Sequence, residues 1–416
     1  MYHGNMKKIV IIGGGAAGLA AGIAAAWKAR EAGALASVRI FEADDRVGRS
    51  ILATGNGRCN FSNAEVGPAD YFGASFVEPA LEALEQAAFW PASEGENAVL
   101  SFFEALGLAW REEGEGRLYP ITGKASTVLD VLRATAFALG VQECCGMRVR
   151  AVEPPREAGK PFTLRMEDGA FQRAQAVICA CGGKVARALL PSSLGFAALQ
   201  PVLGPLKTDV RDIRALDNIR VRCAASVERD KQTIAVERGE VLFRKYGVSG
   251  IAIFNLSRFA QAGDEVVVDL LPDLSRMELQ ELLNQRAASL QALSNKTATC
   301  EDVLRGLVLP LVGEALLSCL KLKPSDLATP HNMHRASCVL KRLRLKVEGP
   351  GDVKQCQVHR GGFLCDEFDP ITMECRSIPG LYAAGEMLNV DGPCGGYNLH
   401  WAWSSGLLAG ISAVEQ

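Results

Sequence analysis

The chain has 416 residues, which is enough for two or three domains and a large buried core. Its formal net charge is −2 and it has no block rich in Lys and Arg, so composition gives little support to binding of nucleic acid or an anionic membrane. Hydrophobic residues make up 48% and charged residues 22%, values ordinary for a soluble globular protein. We expect a cytoplasmic protein, because the opening lacks the features of a signal peptide.

The first predicted element is a strand at Lys7–Ile12, "KKIVII", whose unbroken apolar run is typical of a parallel strand buried on both faces. Gly13, Gly15 and Gly18 follow in the spacing G-x-G-x-x-G, and Ala16–Ala29 is predicted to form a helix. In such a loop the first glycine permits a tight turn, the second admits a pyrophosphate, and the third allows close packing of helix and strand. A glycine turn without a ligand is the alternative interpretation.

A second predicted strand, Val38–Phe41, ends in an acidic residue. Glu42 lies 24 positions after Gly18, slightly beyond the spacing of about 20 at which an acid holds the ribose diol of a bound dinucleotide. A carboxylate here would repel a 2′-phosphate, which disfavours NADP at this site. Strand, glycines, helix, strand and acid in this order predict dinucleotide binding.

Two glycine-marked strands lie far downstream, in Ala176–Gly183 and Gly380–Gly392. A Rossmann half that is completed by the end of the chain is the layout of an FAD domain rather than of an NAD dehydrogenase. In that layout Gly385 and Glu386 would meet the ribityl chain or the pyrophosphate of FAD.

The segment between these halves has a different pattern. Short strands are predicted within Lys207–Asp269, including "KQTIAVE" and "GEVLF" as separate strands. A helix is predicted over Ser275–Leu293, with Ser275 as its cap and Glu278 three residues later. The alternation in Ser337–Val347 predicts a strand that returns from the insertion.

Three blocks, Gly48–Asn63, Gly239–Gly250 and Gly380–Gly410, carry a resemblance to a known family. They contain "GNGRCN" and "DGPCGGYNL", which are far more specific than the glycine loop. The chain resembles the BaiN-like (aminoacetone-oxidase-like) family of bacterial FAD-dependent oxidoreductases. The resemblance implies an α/β fold with a Rossmann-type FAD-binding domain split into N- and C-terminal parts, with an inserted β-rich substrate domain and a small helical region.

We place the N-terminal part of the FAD-binding domain at residues 1–190 and its C-terminal part at 351–416. The inserted domain would then span 191–350, with the helical region at about 273–330. The resemblance further implies a set of cofactor-binding residues: Gly13, Gly15, Ala16, Ala17, Gly18, Glu42, Gly48, Arg49, Arg58, Cys59, Asn60, Gly385, Glu386, Gly395, Gly396, Tyr397 and Asn398.

The catalytic residue is left open, with His400, Arg58 and Tyr246 as candidates. His400 either donates a proton to the substrate or is a helix histidine hydrogen-bonded near the cofactor. Arg244 and Lys245 depart from the family pattern and would favour an anionic substrate if they line the pocket. Lys124 is either a cofactor or substrate contact or a solvated surface lysine.

The thirteen cysteines do not form the pattern of a disulfide framework or a metal site, because their number is odd and no C-x-x-C pair occurs. Cys394 is the one plausible partner of Cys59, and we expect no redox-active pair. His331 and His334 have no acidic or cysteine partner in register, so no metal site is predicted.

These observations predict an FAD-dependent oxidoreductase that acts on a small molecule, with NADH or NADPH as a transient reductant. The leading hypothesis is reduction of an activated C=C bond, which the resemblance implies for oxo-steroid bile-acid intermediates. The second is a flavin amine oxidase that produces hydrogen peroxide. The third, from another class, is a flavin-bearing binding or RNA-modification factor, against which the near-neutral charge argues. The oligomeric state stays open.

Overall fold

The computed structural model describes residues 6–87, 97–157 and 159–415. It divides into two compact units: the first consists of Met1–Gln200 with His359–Gln416, and the second is Pro201–Val358. The divisions thus fall at 200/201 and 358/359, whereas the sequence-based bounds were placed at 190/191 and 350/351.

The helices and strands alternate along the chain as follows. From the N-terminus to Val202 they are β1 (Lys7–Ile12), α1 (Ala16–Glu31), β2 (Ala36–Phe41), α2 (Arg49–Ala53), β3 (Ser62–Asn63), α3 (Ala74–Gln86), α4 (Ala98–Ala105), β4 (Trp110–Glu112), β5 (Arg117–Pro120), α5 (Ala125–Ala138), β6 (Gln142–Cys144), β7 (Val149–Glu153), β8 (Phe162–Met166), β9 (Phe171–Ala174), β10 (Ala176–Cys179), α6 (Gly183–Leu189) and β11 (Phe196–Val202). The second unit contains β12 (Leu206–Thr208), β13 (Arg220–Arg229), β14 (Gln232–Arg244), β15 (Gly247–Ser249), α7 (Ile251–Leu256), β16 (Glu265–Asp269), α8 (Arg276–Ser294), α9 (Cys300–Leu304), α10 (Pro310–Cys319), α11 (Pro330–Lys341) and β17 (Leu343–Pro350). The chain ends with β18 (Val358–Phe363), β19 (Leu381–Ala383) and α12 (Tyr397–Glu415).

The core of the first unit is a five-stranded parallel sheet in the order β19-β10-β1-β2-β6. The predicted strand Lys7–Ile12 is confirmed, and its central residues are fully buried. Because all strands are parallel, the segments that follow β1, β2, β10 and β19 lie at one edge of the sheet. In open α/β sheets this carboxyl edge is where ligands bind.

Helix α1 covers this sheet and packs against α12 through very small side chains. All of Ala20, Ala21, Ala24 and Ala25 are fully buried. A Cβ atom on Gly406 would collide with the carbonyl oxygen of Ala17, and one on Gly410 would collide with that of Ala21. The alanine-rich composition of α1 therefore reflects a close helix–helix contact, because interaxial distance depends on the side chains at the crossing.

The second unit is built on a closed barrel in the order β12-β15-β14-β13-β16-β17. The helices α8–α11 pack with the barrel into one apolar core that includes Phe243, Leu279 and Leu316. The predicted α/β class, with a Rossmann-type domain and a β-rich region, is confirmed.

Two predictions for the second unit were partly wrong. "KQTIAVE" and "GEVLF" belong to the single long strand β14, which pairs with β13 along its length. Residues Ser337–Lys341 are helical, because Met333, Ala336 and Leu340 continue the buried face of α11, and the strand begins only at Leu343. The predicted cap of α8 is confirmed: Ser275 and Glu278 form a reciprocal capping box.

Candidate functional site

The three glycines after β1 differ in what a side chain at each position would meet. Gly13 has φ of 103° and an added Cβ atom would lie 2.6 Å from the carbonyl oxygen of Ala180. A Cβ on Gly18 would collide with the carbonyl oxygen of Gly13. At Gly15 the φ of −81° suits any residue, and the one atom within 4 Å of an added Cβ is the Ser50 hydroxyl, at 3.2 Å. Backbone packing thus requires the first and third glycines, while the second leaves a cradle that a side chain would fill.

The carboxylate of Glu42 faces this loop from the end of β2. Its Oε2 accepts a hydrogen bond from the backbone N–H of Gly14 at 2.7 Å, and Oε1 accepts one from that of Asp44 at 2.8 Å. The acid is therefore held beside the glycine loop, where the diol of a nucleotide ribose would meet it. The sequence pattern did not single out Gly14, although a Cβ atom on this residue would lie 2.5 Å from the Val47 side chain.

The segment after Glu42 returns to the same loop. Gly48 has φ of 76°, and its N–H donates to the carbonyl oxygen of Gly14 at 2.8 Å. The Arg49 side chain is more than half exposed and lies 3.4 Å from Asp44 and 3.7 Å from Asp45. Its charge is shared between two exposed acids, so it is a weak attractor for a phosphate.

The loop from Thr54 to Asn60 has an unusual backbone. Gly55, Asn56, Gly57 and Cys59 all have positive φ values. The Cys59 side chain is fully buried, and burial raises the pKa of its thiol to about 11, although a hydrogen bond with Thr54 opposes the shift. This thiol is protonated near neutral pH and is a poor nucleophile.

Arg58 and Asn60 point to different environments. The Arg58 guanidinium lies 2.6 Å from both carboxylate oxygens of Glu113 and 4.4 Å from the ring centroid of Tyr119. The Asn60 Oδ1 atom is buried and has no hydrogen-bond partner among the described residues. A buried acceptor without a donor is costly, and a ligand N–H or O–H group would satisfy it.

Gly385 and Glu386 follow β19, and Gly385 faces the first turn of α1. The Gly385 N–H donates to the buried Ser405 hydroxyl at 2.9 Å, and an added Cβ would lie 3.2 Å from the Cβ atom of Ala17. Burial raises the pKa of Glu386 to about 6, with the charge of Lys184 acting in the opposite direction.

The segment that leads into α12 and the first residues of this helix are fixed by hydrogen bonds from side chains to the backbone. The buried Asn63 donates to the carbonyl oxygen of Gly395 at 2.9 Å. A Cβ atom on Gly396, which has φ of 104°, would collide with the carbonyl oxygen of Ser62. Asn398 donates to the carbonyl oxygen of Gly392 at 2.9 Å and accepts from its N–H at 2.9 Å. The carbonyl oxygen of Tyr397 accepts from the Tyr71 hydroxyl at 2.8 Å.

His400 lies one turn into α12 and is almost fully buried. Its Nδ1 is 2.8 Å from the Ser62 hydroxyl, and burial lowers its pKa to about 4. The imidazole is therefore neutral near pH 7 and links α12 to β3.

Of the remaining candidates, Lys124 belongs to the first unit, whereas Arg244, Lys245 and Tyr246 belong to the second. Lys124 is the exposed residue before α5. Tyr246 is in the turn between β14 and β15, where its carbonyl oxygen accepts from the N–H of Thr208 at 3.1 Å. In that turn Arg244 donates to the Asn218 side chain at 2.5 Å, and Lys245 is 82% exposed.

Within the first unit, the structure thus places the glycine loop, Glu42 and Gly385–Glu386 at one sheet edge. It also places the Thr54–Asn60 loop against the segment that precedes α12. These residues fit an extended dinucleotide such as FAD, because a cradle that a side chain at Gly15 would fill, an acid beside it and a buried unpaired acceptor all lie in the same unit. Asn63 and Arg117, which lie beside Gly395 just before α12, were missed, since only the pairing of β3 with β5 brings them there.

The structure also bears on metals, disulfides and membrane spans. No group of side chains able to hold a metal ion occurs in residues 6–87, 97–157 and 159–415. All thirteen cysteines lie within those ranges, and none forms a disulfide. Within the described chain no helix is both long enough and apolar enough to cross a membrane.

The family description "HI0933-like protein Rossmann domain" matches residues 7–412. The chain belongs to this family. The predicted BaiN-like resemblance and the prediction of an FAD-dependent oxidoreductase are confirmed.

Three curated relatives of the HI0933-like chain are similar over nearly their full lengths. A 3-dehydro-bile acid delta(4,6)-reductase of Clostridium scindens is 33% identical over 99% of this chain and 100% of the relative. A ribosomal RNA dihydrouridine synthase of Escherichia coli is 28% identical over 95% of both chains. A protein of the same name from Haemophilus influenzae is 27% identical over 98% of both.

Proposed function

We propose that this oxidoreductase saturates a C=C bond conjugated to a carbonyl group. The observation that supports this proposal most strongly is that two of its relatives catalyse the same type of reaction. A Δ4,6 reductase of a 3-oxo steroid and a dihydrouridine synthase both add two hydrogens across a C=C bond that is conjugated to a carbonyl. The bond becomes electrophilic at its β carbon, so a hydride equivalent adds there and a proton adds at the α carbon.

The balanced reaction needs a reductant. We propose NADH or NADPH, each of which gives up a hydride and becomes NAD⁺ or NADP⁺, while one proton comes from the medium. FAD, when bound, relays the hydride, and the chain supplies its binding and orientation. The glycine loop would hold the pyrophosphate at the start of α1, and Glu42 would hold the adenosine ribose.

The preferred substrate is a small oxo-steroid or bile-acid-like molecule. The relative with this type of substrate shares the greater identity, 33% against 28%. Charge bears on the choice between the bile acid and RNA in two opposite ways. The second unit carries 23 Lys and Arg against 19 Asp and Glu, a net charge of +4. Yet exposed cations such as Arg211, Arg220 and Arg238 are paired with acids, and affinity for RNA requires cations that can replace the counterions of phosphates.

Uracil in ribosomal RNA is the second candidate substrate. The two dihydrouridine synthases cover nearly the full length of this chain, and uracil carries the same conjugated C=C–C=O unit. The pairing of exposed cations with acids in the second unit weakens this candidate.

The test supplies the FAD-loaded protein with NADH or NADPH and compares two substrates, a 3-oxo-Δ4 bile acid and ribosomal RNA from a strain that lacks dihydrouridine. We expect oxidation of the nicotinamide and a bile-acid product heavier by two hydrogens. Dihydrouridine in the RNA with no change in the bile acid would transfer the proposal to the second candidate. A third sample contains an amine and O₂ instead; peroxide formed there, with neither product in the other two samples, would contradict both candidates and favour the amine oxidase.

A further inference from the structure

The positive end of α12 meets an arginine that the sequence did not single out. Asn63 and Arg117 are paired residues of β3 and β5. Asn63 is 1% exposed, and its side-chain amide donates to the carbonyl oxygens of Gly395 and Glu115, both at 2.9 Å. This amide therefore fixes the turn between β4 and β5 against the segment that leads into α12.

The register of β5 then places Arg117 beside Gly395. The Arg117 Nε atom lies 3.7 Å from the position that a Cβ atom on Gly395 would occupy. Tyr397 begins a helix of 19 residues that has no acidic residue in its first turn. The partial positive charge of the helix end and the full charge of the guanidinium are thus adjacent.

Arg58, which is also near this segment, is a weaker source of charge. Arg58 contacts both oxygens of Glu113, whose side chain is only 26% exposed, and lies over the ring of Tyr119. Arg117 is paired with Glu115, but the Glu115 side chain is 62% exposed and solvent screens the pair. Arg117 itself is 22% exposed, so its charge acts in a less polar environment.

We propose that Arg117 is a positioning residue that stabilises negative charge on the ring of bound FAD when the cofactor is reduced. The inference rests on the proposed function, because it requires FAD with its ring at the start of α12. Arg117 and the helix end would then favour the reduced form over the oxidised form. The buried Asn60 Oδ1, 3.0 Å from the Cβ position of Gly396, would accept a hydrogen bond from the same ring.

The experiment measures the midpoint potential of FAD bound to the full chain, in the presence of a reference dye. In Arg117→Gln we expect the ratio of affinities for reduced and oxidised FAD to fall about tenfold, a potential lower by about 30 mV for a two-electron couple. Arg117→Lys should restore most of the difference, because it retains the charge. Glu115→Gln should raise the potential, because it removes the opposing charge.

Arg150→Gln is the matched control. Arg150 is an exposed arginine that is paired with Glu167 between two antiparallel strands of the same unit, outside the candidate site. Its potential should equal that of the parent protein. An Arg117→Gln variant with bound FAD and the potential of this control would overturn the inference, as would an Arg117→Gln variant whose only defect is a raised KM for an anionic substrate.

If Arg117→Gln does not fold, Glu115→Gln decides the question, and a potential that does not rise overturns the inference. A parent protein that takes up no FAD would contradict the proposed function instead, so the two failures are distinguishable.

Discussion

In the glycine loop, two glycines are required by the packing of the protein itself, and one leaves room for a ligand. Gly13 and Gly18 are required by backbone atoms that lie in the place of their side chains. Gly15 has an ordinary φ, and only a hydroxyl that can rotate lies near its Cβ position. A methyl group at position 15 should therefore conflict with a ligand more than with the protein.

The first prediction is that Gly15→Ala folds as well as the parent but binds FAD at least about tenfold more weakly, which is about 1.4 kcal/mol. The measurement is a fluorescence titration of the apoprotein with FAD, accompanied by a thermal melt without FAD. Gly13→Ala serves as the comparison and should melt at a lower temperature even without FAD, because of its φ of 103°. An unchanged affinity in Gly15→Ala would remove the pyrophosphate from this loop.

The second prediction concerns the buried His400. Its pKa is lowered from 6.5 to about 4, so the folded state binds a proton less readily than the unfolded state. The stability that this contributes is complete above pH 6.5 and is lost as the pH falls towards 4, by about 3 kcal/mol in total. His400→Asn, which retains a partner for Ser62, should show a smaller loss of stability in that range. Denaturant unfolding at several pH values measures this, and identical pH dependence in the two proteins would contradict it.

Residue types and spacing were sufficient to predict Gly13, Gly18 and Glu42, because the reasons for them lie within one strand–turn–helix–strand unit. Arg117 and Asn63 could not be found in this way. Their position beside Gly395 arises because two short strands pair with each other and contact a segment more than 270 residues later in the chain. No local pattern records such a contact.

At the scale of elements, α1 and α12 are the critical pair. They approach closely because Gly406 and Gly410 lie against the backbone of α1. We predict that Gly406→Ala lowers the thermal midpoint, because overpacking costs about 1–3 kcal/mol while the gain in helix propensity is at most about 1 kcal/mol.

Gly313→Ala in α10 is the control for this contact. Its nearest neighbours are 3.6 Å from the added Cβ, an ordinary contact, so only the gain in helix propensity remains. Differential scanning fluorimetry should show a lower midpoint for Gly406→Ala and an equal or higher one for Gly313→Ala. A Gly406→Ala protein as stable as the parent would show that the two helices can separate without cost.

The elements with a clear period were predictable from the sequence, as β1 and α1 illustrate. The errors arose where two periods overlap. Ser337–Val347 alternates in part, yet its first residues complete an apolar helical face that begins at Met333. The long strand β14 was divided at Gly239, whose φ of 156° is rare for other residues, although the pairing with β13 continues through it.

In the whole molecule, the candidate cofactor site lies at the carboxyl edge of a parallel sheet. The relatives of this chain act on conjugated C=C bonds. The sequence predicted the class of enzyme, because motif blocks of this specificity extend over most of the chain. It could not predict the substrate, because substrate choice depends on the shape of a pocket and not on a motif.

The most direct test of the central claim is a single-turnover experiment that does not depend on the identity of the reductant. Protein-bound FAD is reduced chemically without oxygen and is then mixed with a 3-oxo-Δ4 bile acid. We predict that the absorbance of oxidised FAD returns and that each equivalent of bound FAD yields one equivalent of a product that has gained two hydrogens. FAD that stays reduced in the presence of this substrate and of a uracil-containing ribosomal RNA fragment, but is reoxidised rapidly by O₂, would contradict it.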